Sequence, residues 1–274
     1  MKIIDSHIHF WDTSNGFNNW VNKTELPKLV IPNDFNVDSF VHIEAHTSTQ
    51  DILCEYRWLK SKFLNKNIKV IAFVDFTQDI KGFKKDIAVI SKYDDIVGVR
   101  HIMAKTYRSK YSPFNNTIPK DLLEKLRILK ENDLIFEAQM YPEQFLPLLT
   151  LIDKSEVKMA IEHFGLPIFG ENNNLTEWYS LIREMNNHSK WYLKLSGFDL
   201  NNDNKYIYEA IAFITENLKD TKLCYGSNYP VTNPENPYIW SNQLKELLTS
   251  KESVQKVFFS NAKRLYFKEI LPDS

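Results

Sequence analysis

Hydrophobic and polar positions along the chain fall into two alternating periods. Short runs rich in β-branched and aromatic residues occur at 2–10, 39–46, 68–76, 96–103, 133–140, 157–164, 190–197 and 222–227. Runs of this length and composition predict eight strands. Between them apolar residues recur at helical spacing, as in DILCEYRWLKSKFL (51–64), IPKDLLEKLRILKEN (118–132), PEQFLPLLTLIDK (142–154) and NKYIYEAIAFITENL (204–218). Eight strand–helix units at intervals of roughly 30 residues predict a parallel (β/α)8 TIM barrel in one domain over 1–274. An open doubly wound sheet usually needs fewer strands and a Gly-rich first turn, which is missing here.

Two stretches break the rhythm. Residues 11–37 and 104–117 are long, turn-rich and dotted with aromatic side chains, and after strands one and four of a barrel they are candidate lids. Gly165, Gly197 and Gly226 stand where strands six, seven and eight end, places where backbone must turn sharply or approach a ligand.

Ionisable residues gather at the same strand ends, the rim where barrel enzymes build their sites. Strict alternation puts Asp5, His7 and His9 on one face of strand one, and His42, Glu44 and His46 on one face of strand two. Strand four ends in Arg100-His101, strand six in Glu162-His163, and strand seven carries Lys194 and Ser196 on one face. Two His at i, i+2 can ligate a divalent ion or donate to a substrate carbonyl, with Asp5 as the orienting group beneath. Arg100 suits a substrate carboxylate, the alternative being a structural pair with Glu44 or Glu137. His101 is expected toward the helices if Arg100 points inward. His42, deeper in its strand than His46, reads as a satisfied core histidine, His188 as a solvated surface residue and Cys224 as a small buried hydrophobe. Parity leaves the faces of Glu137 and Gln139 open.

Composition narrows the partners. The 274 residues are 43% apolar and 25% charged, with 34 Lys and Arg against 35 Asp and Glu. Such a balance gives no basic field for nucleic acid and no polybasic arm for membranes, leaving a small-molecule substrate and room for a homo-oligomer. Two cysteines, Cys54 and Cys224, outline no disulfide framework, and the N-terminus MKIIDSHIHF does not read as a leader, so a cytoplasmic setting is expected.

The segments DSHIHFWD, IVGVRH, IEHFGLP, YLKLSGF, YGSNYPV and FFSNAKRLY, in that order, resemble the amidohydrolase superfamily in its branch of sugar-lactone and 2-pyrone-4,6-dicarboxylate lactonases. The resemblance implies hydrolysis of a small carboxylated or sugar-acid lactone. It casts His7 and His9 as polarising the carbonyl, His163 as assisting, Arg100 as gripping substrate and position 228 as the base that activates water. Trp11, Glu44, His46, Lys194, Ser196 and Tyr229 are the further expected substrate contacts. No cofactor is expected, or one divalent ion, zinc among the candidates, at low occupancy on His7, His9 and His163.

Two positions depart from the family pattern. Glu162 stands where Asp is usual, and Asn228 replaces the strand-eight Asp. An amide cannot accept the proton that a carboxylate can. Three explanations remain open for Asn228: an inactivating change, altered chemistry in which Glu44, Glu162 or His163 serves the water, or a non-catalytic binding barrel. A metal-dependent decarboxylase or other amidohydrolase reaction is the further alternative.

Overall fold

The computed structural model describes residues 1–45, 51–105, 118–170, 174–198 and 204–269. Eight parallel strands, β1 (Ile4–Ile8), β2 (Ser39–Ile43), β3 (Ile68–Phe73), β4 (Ile96–Arg100), β5 (Ile135–Ala138), β6 (Met159–Ile161), β7 (Trp191–Leu195) and β8 (Leu223–Tyr225), pair in chain order. The ring is drawn together between β8 and β1. There the Asn228 N–H donates to the His7 carbonyl at 2.7 Å, the His9 N–H to Tyr229 O at 2.9 Å and the Ser6 hydroxyl to Tyr225 O at 2.6 Å. The (β/α)8 barrel expected from the periodicity is what the chain forms.

Helices pack on the outer face because their apolar residues form one stripe. In α1 (Ile80–Ile90) Phe83, Ile87 and Ile90 are buried at i, i+4, i+7, and the Asp79 carboxylate caps the start by accepting from the Gly82 N–H at 2.7 Å. The same logic buries Leu122, Leu126 and Leu129 of α2 (Leu122–Glu131), and Trp178, Leu181 and Ile182 of α3 (Thr176–Glu184). Inside, Ile4, Val41, Ile43, Ile71, Ile135, Ala160 and Cys224 share one apolar cluster with Ala262, Leu265 and Tyr266. The last three belong to α4 (Asn261–Tyr266), which closes that end of the barrel.

Strand one departs from simple alternation. Asp5 pairs with Phe40 and Ile8 with His42, so three steps on β1 face two on β2 and the strand bulges. A bulge moves later side chains to the other face, and Asp5 therefore does not share a face with His7 and His9. Asp5 lines a cavity of about 330 Å³ on the helix side with Phe35, Tyr225 and Tyr238. The expectation of three polar side chains entering together is corrected by this one extra residue.

The insertion after β1 folds back through a short antiparallel pairing of Trp11–Asp12 with Leu29–Val30. Asn18 and Trp20 donate to the Ala45 carbonyl at 3.0 and 2.8 Å, so this segment packs against the end of β2, beside the barrel mouth. Most of the second candidate lid, 106–117, and the candidate His46 lie outside the described residues.

Candidate active site

Past the bulge, His7 and His9 turn into the barrel mouth, their rings meeting edge to face at 5.2 Å, and His163 lies 4.6 Å from His7. His9 Nδ1 sits 2.9 Å from the Ile43 carbonyl, which can only accept, so Nδ1 carries the proton and Nε2 is left as a lone pair. Neutral His9 thus cannot donate through Nε2 to a substrate carbonyl; it can ligate an ion or accept a proton. His7 is fully buried, and among the described residues neither ring nitrogen has a hydrogen-bond partner. Asp5 supports the pair through backbone: its carboxylate accepts from the N–H of His7 at 3.1 Å and of Ser227 at 2.9 Å. Burial lifts the Asp5 carboxyl to about 6.

Burial, with Arg100 next, depresses His9 to about 3, and burial lowers His163 to about 4 despite Glu162 beside it. His7 is pushed well below its usual range by burial and then by Lys194. All three rings are neutral at pH 7. They offer lone pairs and N–H groups without a net charge.

The sequence pair Glu162-His163 follows β6, and its delivery depends on unusual backbone. His163, Phe164, Gly165 and Leu166 have φ of 52°, 60°, 75° and 54°, four successive left-handed residues of which three carry a Cβ. Each non-glycine costs about 1–2 kcal/mol, so the turn persists only because its surroundings hold it. Trp178 Nε1 donates to the Phe164 carbonyl at 2.6 Å, and the Leu166 N–H to His163 O at 2.8 Å. His163 Nδ1 lies 3.0 Å from Ser196 Oγ. Its ring occupies the place where Gly197, itself at φ 83°, has no side chain: a Cβ there would lie 2.4 Å from His163 Nδ1. Gly226 does the same for His7, whose Cβ would be 2.6 Å away.

Arg100 is held from two sides. Its Nε donates to Glu44 Oε1 at 2.6 Å, Nη2 to the Glu44 carbonyl at 2.7 Å, and Nη1 to Glu162 Oε2 at 3.2 Å. Burial opposes its charge, but Glu162 and Glu44 outweigh that and raise its pKa. Three of its five donors are thus engaged within the protein, which the sequence had weighed as the alternative to gripping substrate. Deeper in, Lys194 Nζ lies 2.8 Å from Glu137 Oε2, and Tyr266 OH donates to Glu137 Oε1 at 2.7 Å. Burial lifts Glu137 to about 7 against the pull of Lys194. The open question of parity at Glu137 is answered inward, and Lys194 is its charge partner.

Asn228 is buried just past β8 at φ 54°, a left-handed conformation that Asn and Asp tolerate better than most residues. Its Cα therefore serves a turn at the mouth while its N–H ties β8 to His7. Other candidates lie further out. Trp11 is fully buried, stacks on His9 at 6.3 Å and donates through Nε1 to Pro27 O; Tyr229 packs its ring on Phe35 at 5.4 Å. His42 faces the helix layer, 3.0 Å from Glu55 Oε2, and His101 accepts from the Phe76 N–H at 3.2 Å, both as expected. Cys224 is buried, its thiol pushed up to about 12 by burial. His188 is not the solvated residue expected: it stacks on Trp191 at 3.7 Å and reaches Asp153 at 2.7 Å. Glu55 and Tyr266 were missed, because neither stands at a strand end.

One small divalent ion fits this donor set. A His7 nitrogen, a Glu162 oxygen and a His163 nitrogen lie within 4.8 Å of one another, and neither His7 nitrogen has a hydrogen-bond partner among the described residues. Separations of 3.6 Å (His7 to Glu162) and 3.8 Å (His163 to Glu162) approach the roughly 3.4 Å edge of a tetrahedral zinc shell with bonds of about 2.1 Å.

The amidohydrolase family profile matches residues 4–268. The chain belongs to the amidohydrolase family. Among curated proteins, this amidohydrolase is 23% identical to the uncharacterised protein y4mH of Sinorhizobium fredii, over 97% of this chain and 98% of that one. Among solved structures, an amidohydrolase from Burkholderia multivorans with bound zinc superposes at a TM-score of 0.76 with 16% identity, covering 97% of this chain and 99% of the other. A Pseudomonas putida protein assigned as a 2-pyrone-4,6-dicarboxylic acid hydrolase gives 0.74 at 14%, covering 98% and 99%. The 2,6-dihydroxybenzoate decarboxylase from Rhizobium gives 0.60 at 9%, covering 98% and 99%. At these identities the structures share the fold of this amidohydrolase. No helix among the described residues is long and apolar enough to cross a membrane.

Proposed function

We propose that this amidohydrolase hydrolyses small lactones. The observation that carries the reading is the convergence of three imidazoles, His7, His9 and His163, at the mouth of the barrel, with the Glu162 carboxylate beside His7 and His163. Opening a cyclic ester needs a donor at the carbonyl oxygen, a held water and a proton acceptor. Neither His7 nitrogen has a hydrogen-bond partner among the described residues, and His7 is the donor to the carbonyl oxygen. His9, fixed as the Nδ1–H tautomer by Ile43, presents a lone pair toward the same space. Arg100, anchored by Glu44 and Glu162, keeps donors that orient a polar substituent of the ring. A divalent ion held by His7, Glu162 and His163 would supply carbonyl polarisation and a more acidic bound water.

Incubating the purified protein and an Asn228→Asp variant with a panel of sugar and pyrone lactones, with acid release followed by a pH indicator, tests the reading. Turnover above buffer by either protein is expected. If neither turns over any lactone while circular dichroism shows both folded, the reading fails. In that case, calorimetric binding of a lactone without turnover would point to a binding barrel, and CO2 release from hydroxybenzoates to a decarboxylase.

A further inference from the structure

We propose that Gln139 sets the specificity of this site, its side-chain amide hydrogen-bonding a hydroxyl group on the lactone ring; this deepens the lactone-hydrolase reading and rests on it. Gln139 is the first residue past β5 and is only 6% exposed. Its Oε1 is buried and has no hydrogen-bond partner among the described residues. An unpaired buried amide oxygen costs stability, and a folded chain carries one where a ligand completes it.

Register puts this amide at the mouth. Along β5, Ile135 joins the apolar cluster inside the barrel and Glu137 meets Lys194 and Tyr266 there. Phe136, Ala138 and Met140 belong instead to the cluster that holds the helix residues Phe83 and Leu126. Pairing of β5 with β6 runs without a bulge, Glu137 against Ala160 and Ala138 against Ile161, and the Glu162 N–H donates to the Ala138 carbonyl at 3.0 Å. The next pair in that register is Gln139 with Glu162, one rung above Glu137 on the same inner face. Neighbouring strands lie about 4.8 Å apart, so the Gln139 side chain stands beside the carboxylate that borders His7 and His163. Its backbone is fixed in place: the Gln139 carbonyl accepts from the Met103 N–H at 3.1 Å, and Gln144 Nε2 donates to the Met103 carbonyl at 3.0 Å.

The neighbours select the group that Gln139 meets. An amide oxygen only accepts, and so does a carboxylate, so Glu162 does not supply the missing donor. Arg100 directs three donors to Glu44 and Glu162, and Lys194 is held by Glu137. A carboxylate on the ring would bring one more acceptor, and a negative charge, to this corner. A hydroxyl donates to Oε1 and accepts from Nε2, completing both ends of the amide without adding charge. The arrangement favours hydroxylated lactones over bare ones, because a site that hydrogen-bonds a substrate hydroxyl rejects the analogue lacking it.

Turnover of gluconolactone and of δ-valerolactone, its counterpart without hydroxyls, tests the assignment in wild type and Gln139→Met. Met keeps nearly the volume of Gln and lacks the amide. The variant is expected to lower the ratio of kcat/KM for the hydroxylated over the bare lactone by about 10–100-fold. Its unliganded form should melt no lower than wild type, because the orphaned amide oxygen has no bond to lose. An unchanged ratio would overturn the proposal, and so would a lower melting temperature, which marks a structural role. Calorimetry with gluconolactam and δ-valerolactam, which resist hydrolysis, reads the same contact without catalysis. Gln139→Met is expected to bind gluconolactam about 10–100-fold more weakly than wild type does. Equal affinity of the two proteins for gluconolactam, or no binding of it by wild type, would overturn the assignment. Absence of lactone turnover by wild type sinks the lactone reading, while the lactam titrations still decide whether Gln139 reads a hydroxyl.

Discussion

Replacing Gly197 by alanine probes the packing that aims His163. Two costs add. A Cβ at φ 83° costs about 1–2 kcal/mol for the left-handed backbone alone. The new methyl would lie 2.4 Å from His163 Nδ1 and 2.6 Å from Cγ, so the ring must retreat by about 1 Å to reach ordinary contact, an overpacking cost of about 1–3 kcal/mol. Gly16→Ala isolates the first cost: its φ is 80°, and nothing lies within 4 Å of its added Cβ. The difference between the two variants is the His163 contact, about 1–3 kcal/mol, or on the order of 2–10 °C in melting temperature. Scanning calorimetry at pH 7 measures it, with lactone turnover recorded in parallel. Gly197→Ala should melt lower than Gly16→Ala and lose at least about tenfold in kcat, because a 1 Å displacement of a reacting group is costly. Equal melting temperatures for the two variants would refute the placement of the His163 ring.

Three further outcomes follow from the same structure. Tyr266→Phe removes the donor to Glu137 and leaves a buried carboxylate oxygen unpaired, so urea unfolding should show a loss of about 1–3 kcal/mol. His188→Ala should cost about 1–3 kcal/mol in the same assay, against less than about 0.5 kcal/mol for a solvated residue, because it gives up the Trp191 stack and the Asp153 bond. Burial opposes the charge of Asp95, but hydrogen bonds from Lys60 and Lys69, at 2.7 and 2.8 Å, outweigh it and hold its carboxyl below the ordinary range. A depressed carboxylate contributes stability above the unfolded value near 4 and loses it as pH falls through the folded one. Asp95→Asn should therefore cost under about 1 kcal/mol at pH 7, discounted for its partial exposure, and the difference from wild type should vanish in acid, as read from melting temperatures between pH 2 and 7.

The eightfold alternation was legible because parallel strands buried on both faces read as continuous apolar runs and each helix keeps one stripe. Ionisable residues at strand ends gave most of the site for the same reason, since a buried rim tolerates His7, Arg100 or Glu162 only for chemistry or pairing. What period two could not give was the bulge in β1, where one unpaired residue sends Asp5 outward and His7 inward. The four left-handed residues from His163 were equally hidden, because two of them, Phe164 and Leu166, are types that rarely adopt that backbone. Tyr266 was hidden by distance: it meets Glu137 across 129 residues, and no local pattern marks such a contact.

The seam between β8 and β1 has a consequence for how function is acquired. Asp5 meets Ser227 across 222 residues, and the same contact fixes the backbone of His7. A chain that has paired β1 through β7 therefore owns most of the side chains of the site and still lacks their alignment. The proposed hydrolysis needs the ring shut. Lactone turnover measured during refolding would accordingly report closure of this seam rather than the pairing of β1 through β7.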